Sequence, residues 1–161
     1  MSSATDDPFD LQRFVAAQAP LYAQVTAELA AGAKTSHWMW FVFPQLRALG
    51  RSGTAQRYGI ASLAEAQAYA RHALLGARLR QCCGLLMAVQ GRSALQVFGT
   101  IDALKLRSCL TLFERAAPHE PLFGSLLDKF YCGERDAATL ALLCDGPRAA
   151  TPAPKGAAGR S

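Results

Sequence analysis

The sequence predicts an all-α fold, a single compact domain of about seven or eight helices, and three observations carry that prediction. Apolar residues recur at helical spacing along most of the chain, and the alternating pattern of strands is almost absent. Two capping boxes, Ser62 with Glu65 and Ser93 with Gln96, announce helix starts. Glycine and proline punctuate the intervals between the periodic runs. At 161 residues and 51% hydrophobic, the chain can bury one ordinary core without disulfides or metals as staples. The expected domain is residues 7–145, with residues 1–6 a disordered N-terminus and residues 146–161 a disordered tail rich in Pro, Gly and Ala.

Asp7 before Pro8 predicts a first helix from about Pro8 to Ala19, capped by the Asp with Pro at the first helical position. Pro20 opens a second helix, with Leu21, Tyr22, Val25 and Leu29 on one face and Gly32 as its C-terminal cap. Ser36 is the expected cap of a short segment through the aromatic run that follows, with a strand as its rival, and Pro44 ends it. Residues 45–59, dotted with Gly50, Gly53 and Gly59, read as a loop with one helical turn. Ser62 then starts a helix to about Arg71. Residues 74–90 form a longer one, with Leu75, Leu79, Cys82, Leu86 and Val89 on one stripe and Gly91 closing it. Ser93 opens a short helix that stops at Gly99. Asp102 is the expected cap of a central helix to about Ala117, apolar around most of its circumference at Leu104, Leu106, Cys109, Leu110, Leu112 and Phe113. Helices over 120–130 and 136–143 complete the body.

The formal charge of +5 is unevenly spread: residues 34–107 carry ten Lys or Arg against Glu65 and Asp102, a formal +8. Such a segment suits an anionic partner, a phosphate, a nucleotide or RNA, unless the charges disperse over a solvated surface. Cys82, Cys83, Cys109, Cys132 and Cys144 form no Cys-x-x-Cys pair, so reduced thiols are expected rather than a zinc site or a disulfide framework. No leader-like or membrane-spanning run is present, and a cytoplasmic location is the expectation. No membrane partner is expected, and the sequence leaves the oligomeric state open.

The segment His37-Trp38-Met39-Trp40-Phe41-Val42-Phe43-Pro44-Gln45 holds both tryptophans and no acidic or basic side chain other than its histidine. It must lie in a core or wall a pocket. It resembles the signature of the bacterial domain-of-unknown-function family 1810. Residues 10–18, Tyr58-Gly59-Ile60, Leu75 to Leu79, and Asp102, Lys105, Leu106, Ser108 and Thr111 to Phe113 resemble further blocks of that family, so the resemblance spans about residues 7–143. It implies a compact all-α protein with no established activity. The calpastatin label sometimes attached to the family does not suit this chain, which is apolar and free of repeats where a calpain inhibitor of that name would be disordered and repetitive. Cys109, Leu110 and Ala73 depart from the Ser, Met and Pro usual in the family.

Candidate site residues follow from these segments. His37 can act as a general base or hydrogen-bond a ligand, or simply serve the fold. Trp38 and Trp40 can form an aromatic wall for a base or sugar, although at least one of them belongs to the core. Lys105 and Ser108, three apart on the central helix, offer a nucleophile arrangement or a polar seam, with Thr111 on the same side. Gln18, Gln45 and Tyr58 are neutral hydrogen-bonding residues that either tie helices together or read a polar ligand. The histidines His37, His72 and His119 lack metal-ligand spacing, the last two reading as surface residues, and the glycines lack a phosphate-loop pattern; no metal or cofactor is expected. The leading expectation is a pocket where the Trp segment meets the helix from Asp102 to Phe113. It would bind a small anionic or nucleotide-like ligand, with Trp38 and Trp40 as walls, His37 and Gln45 orienting it, and Lys105 with Arg57 supplying charge. If the ligand is turned over, hydrolysis or glycosyl transfer with His37 as acid or base is expected. The alternative is a non-enzymatic module that meets an acidic protein or RNA, with the Trp segment as structural core.

Overall fold

The computed structural model describes residues 7–144, so the disorder expected of residues 1–6 and 146–161 lies outside the described residues. Among the described residues there are nine helices: α1 (Gln12–Gln18), α2 (Tyr22–Ala31), α3 (Met39–Val42), α4 (Gly53–Tyr58), α5 (Leu63–Arg71), α6 (Ala73–Ala88), α7 (Ala94–Ala116), α8 (Leu122–Tyr131) and α9 (Ala137–Cys144). The all-α prediction holds, and the count exceeds the expected seven or eight because α3 and α4 are stable as little more than single turns. A 3-10 turn at Arg47–Leu49 and a parallel bridge between Leu46 and Ile60 are the remaining regular features among these residues.

The central helix is α7, which packs against α5, α8 and α9. Its residues Leu106, Cys109, Leu110, Leu112 and Phe113 are fully buried, as the broad apolar surface predicts. Leu104, expected among them, is 55% exposed. The α6 stripe of Leu75, Leu79, Cys82, Leu86 and Val89 is buried throughout. Cys82, Cys83 and Cys109 are buried free thiols, and burial pushes the Cys82 thiol up to about 11, so all three pack as small apolar groups.

Several helix starts differ from expectation. Asp7 does cap, accepting the Leu11 N–H at 2.7 Å and the Gln12 N–H at 2.9 Å, but α1 begins only at Gln12 because Asp10 sits in the left-handed region at φ 53°. A tight turn over residues 7–10 takes the place of the first helical turn. Ser36 caps nothing; Trp38 stands at the start of α3 and the Ser36 hydroxyl turns back to Glu28. Half of the Ser62 box forms, with the Glu65 N–H on the Ser62 hydroxyl at 3.2 Å, while the Glu65 carboxylate accepts from the Ala61 N–H and from Arg13 instead. The Ser93–Gln96 box forms completely. His72, expected as a surface residue, caps α6 by accepting the Leu74 and Leu75 N–H groups at 3.1 Å each.

Asp102 caps no helix, because α7 resumes directly after a break at Gly99 (φ 82°, ψ 170°). Those angles lie in a region that only glycine occupies readily, and a Cβ at Gly99 would meet no neighbour within 4 Å. The break leaves the Val97 carbonyl free to accept the Lys34 N–H at 2.9 Å. It also turns the stretch from Thr100 to Lys105 against the Trp segment. Substituting Gly99→Ala should therefore cost about 1–3 kcal/mol through backbone strain alone. Gly84→Ala, on the exposed side of α6 with open space around it, should gain about 0.5–1 kcal/mol. Urea unfolding of the two variants checks both signs.

Candidate functional site

The Trp segment is positioned by a carboxylate outside it. Glu28, buried near the end of α2, accepts on Oε1 the N–H groups of Thr35 (2.8 Å) and Ser36 (3.1 Å) and the indole N–H of Trp38 (3.0 Å). Its Oε2 accepts from the Ser36 hydroxyl at 2.7 Å and the Gln24 amide at 2.9 Å. Burial opposes ionisation here, but the donors from Ser36, Gln24, Thr35 and Trp38 outweigh it and hold the carboxyl well below the usual range. Lys34 braces the other side of the same loop. Its ammonium, only 7% exposed, pairs with Asp102 at 2.8 Å, donates to the Ser36 carbonyl at 2.6 Å and lies 5.0 Å from the Trp38 ring centroid.

These contacts divide the two tryptophans. Trp38 is fully buried, packed 6.2 Å from Phe43, and presents no face to a ligand, so the two-walled site expected from the sequence has one wall. Trp40 is half-buried and forms that wall. The Lys105 ammonium lies 5.1 Å from its ring centroid, a cation–π contact of the order of 0.5–2 kcal/mol according to how dry it is.

On one side of Trp40 lies an open hollow of about 510 Å³, with Met39 and Phe98 in its floor, His37, Ile101 and Asp102 around it, and Lys105 at its edge. That volume suits a small organic ligand. On the other side is a notch of about 10 Å³, room for roughly one water, lined by Gln45, Tyr58, Gly59 and Phe43. His37, Trp40 and Lys105 thus line one hollow, while Gln45 and Tyr58 line the notch. His37 is exposed at the rim.

The remaining expected site residues lie elsewhere. Gln18 is buried and ties helices together, donating to the Phe41 carbonyl at 2.6 Å and the Tyr69 hydroxyl at 3.0 Å and accepting from Arg78. The Ser108 hydroxyl donates to the Leu104 carbonyl at 3.3 Å within its own helix, which leaves no nucleophile aligned with Lys105. Thr111 donates to the Arg107 carbonyl at 2.8 Å and accepts the Asp136 N–H at 3.0 Å, sealing α7 to the start of α9. The polarity of Ser108 and Thr111 is thus met by backbone partners, while Lys105 lines the hollow. Arg57 lines a different hollow, beside Arg13 and Arg47.

Sequence reasoning passed over Glu28 and Lys34. The available signal was an acidic residue in the final turn of an otherwise uncharged α2, where the helix dipole disfavours it, followed six residues later by a lysine.

A small all-helical domain in which a half-buried tryptophan and two lysines, one of them paired with Asp102, line an open hollow is the class of protein that this arrangement defines. The chain belongs to the family described as "Protein of unknown function (DUF1810)", which it matches over residues 8–143. The crystal structure of the conserved hypothetical protein Rv1873 from Mycobacterium tuberculosis is similar, with 59% identity, a TM-score of 0.85, and coverage of 86% of this chain and 99% of that one. No protein with a curated description matches.

Glu28→Gln should cost about 1.5–3 kcal/mol at pH 7, measured by urea unfolding, since it replaces a charged acceptor of five hydrogen bonds, one of them from the buried Trp38 indole. The native carboxyl is depressed, so its contribution is complete above the unfolded value of about 4.3 and is lost as pH falls below that range. The gap between wild type and variant should therefore shrink on acidification from pH 6 to pH 3.

Proposed function

We propose that this domain binds a small anionic or nucleotide-like ligand in the hollow between the Trp segment and α7. The supporting observation is the Lys105 ammonium beside the half-buried Trp40 ring, at the edge of a hollow of ligand size. Lys34 in the same hollow is neutralised by Asp102, whereas Lys105 forms no ion pair with a carboxylate among the described residues. A planar base or ring stacked on Trp40 would place a phosphate or carboxylate against Lys105. His37 at the rim would meet the polar end of the ligand, and any turnover would use its imidazole as acid or base, in hydrolysis or glycosyl transfer. Among the described residues no helix is long and apolar enough to cross a membrane. The three buried, unpaired thiols suit the reducing cytoplasm proposed for the protein.

A second reading, a protein-interaction surface, is favoured by Ile101 and Leu104, which are 69% and 55% exposed beside the same hollow. A thermal-shift panel of nucleotides, sugar phosphates and other anionic cofactors distinguishes the two. A ligand at 100 times its Kd should add about 2.7 kcal/mol, raising the midpoint by several degrees. The shift should vanish in Lys105→Ala and Trp40→Ala while both variants unfold cooperatively. No shift from any compound would leave the interaction surface as the better reading.

A further inference from the structure

The hollow that receives Arg57 lies on the α1 and α4 side of the molecule and is lined by Pro8, Phe9, Asp10, Arg13, Arg47, Gln56 and Arg57, with a volume of about 500 Å³. Its three arginines are not equivalent. Arg13 is a strut: Nε donates to the Arg57 carbonyl at 2.8 Å, Nη1 to the Phe9 and Asp10 carbonyls, and Nη2 to the Gly59 carbonyl and to Glu65 at 2.8 Å. All five of its donors are used, and its charge is neutralised by a carboxylate 3% exposed. Arg47 and Arg57 are exposed, and neither forms an ion pair with a carboxylate among the described residues. Arg47 reaches the Gly59 carbonyl only at 3.4 Å, and the Arg57 guanidinium rests 5.4 Å from the Tyr58 ring centroid.

The backbone that carries these two forks is held firmly. The Arg47 N–H donates to the Ile60 carbonyl at 2.8 Å, and the Gln56 amide donates to the Arg47 and Gly50 carbonyls at 3.2 and 2.7 Å. Gly59 lies so close that a Cβ there would stand 2.4 Å from the Arg47 Cα. Asp10 is the lone carboxylate in the lining, so with Arg13 neutralised the hollow keeps a net positive charge. Two guanidinium forks without carboxylate partners, lining one concave polar hollow, offer the donor chemistry that a phosphoryl group takes.

We infer that this hollow is a second anion site, separate from the Trp40 hollow, in which Arg47 and Arg57 grip a phosphoryl oxyanion and Arg13 holds the two segments that carry them. The inference does not depend on what the Trp40 hollow binds.

Isothermal titration of the full chain with inorganic pyrophosphate, at ionic strength fixed by chloride, tests it. Binding should weaken at least ten-fold in Arg47→Ala/Arg57→Ala. A control, Arg71→Ala/Arg92→Ala, removes two exposed positive charges elsewhere and should leave binding within two-fold of wild type. Circular dichroism melting should show the Arg47/Arg57 variant folded; should it be unfolded, Arg47→Gln/Arg57→Gln carries the same test. No heat with wild type, equal loss in the control pair, or loss in Lys105→Ala with retention in the Arg47/Arg57 variant would each overturn the site.

Discussion

The Glu28 carboxylate is the group on which the shape of the Trp segment depends. Four of its five donors come from residues 35–38, the stretch between α2 and α3, which has no helix of its own to satisfy its backbone. With the chain tied down there, the Trp38 indole is drawn inward and the next residues turn into α3. That turn is what leaves Trp40 on the outside. Lys34 couples the same loop to α7 through Asp102 and the Val97 carbonyl, so the broken helix and the loop form the two sides of one hollow. Removing this carboxylate from water opposes its ionisation, and the five hydrogen bonds it accepts offset that cost, one of them from the buried Trp38 indole, which needs an acceptor of its own.

Much of the fold was legible because it is local. The α6 stripe, the left-handed Gly32, the Ser93 box and the break at Gly99 are each decided by residues within one or two turns, and each stands where the spacing predicts. The misplacements share a different cause. Ser36, Glu65 and Asp102 are good caps in isolation, but Glu28, Arg13 and Lys34 offer them stronger, charged partners from elsewhere in the chain. A local preference worth about 1 kcal/mol gives way to a buried charge that must be paired.

The site was legible in outline for the same reason that its details were not. A segment with two tryptophans and hardly a charge had to be partly buried, and its meeting with α7 follows from the helix order. Which ring faces out is set by the Glu28 bond to Trp38, and no periodicity within the segment encodes that bond. Gln18, Ser108 and Thr111 looked functional because polar residues in apolar helices are costly. The cost is met by the Phe41, Leu104 and Arg107 carbonyls, acceptors that every residue carries and that sequence patterns therefore do not reveal. Arg57, expected to supply charge beside Lys105, lines the hollow of Arg13 and Arg47 instead, a placement set by contacts distant in sequence.

The account rests on a division of labour between the two tryptophans, one holding the structure and one meeting the ligand, and both carry an indole N–H visible by nitrogen-edited NMR. The decisive measurement is the position and hydrogen exchange of those two signals during titration with a nucleotide panel. The account predicts one indole proton, that of Trp38, protected from exchange and unmoved, and one, that of Trp40, exchanging readily and shifting on binding. Two indole protons with equal protection, or a ligand that moves Trp38 and leaves Trp40 in place, would contradict it.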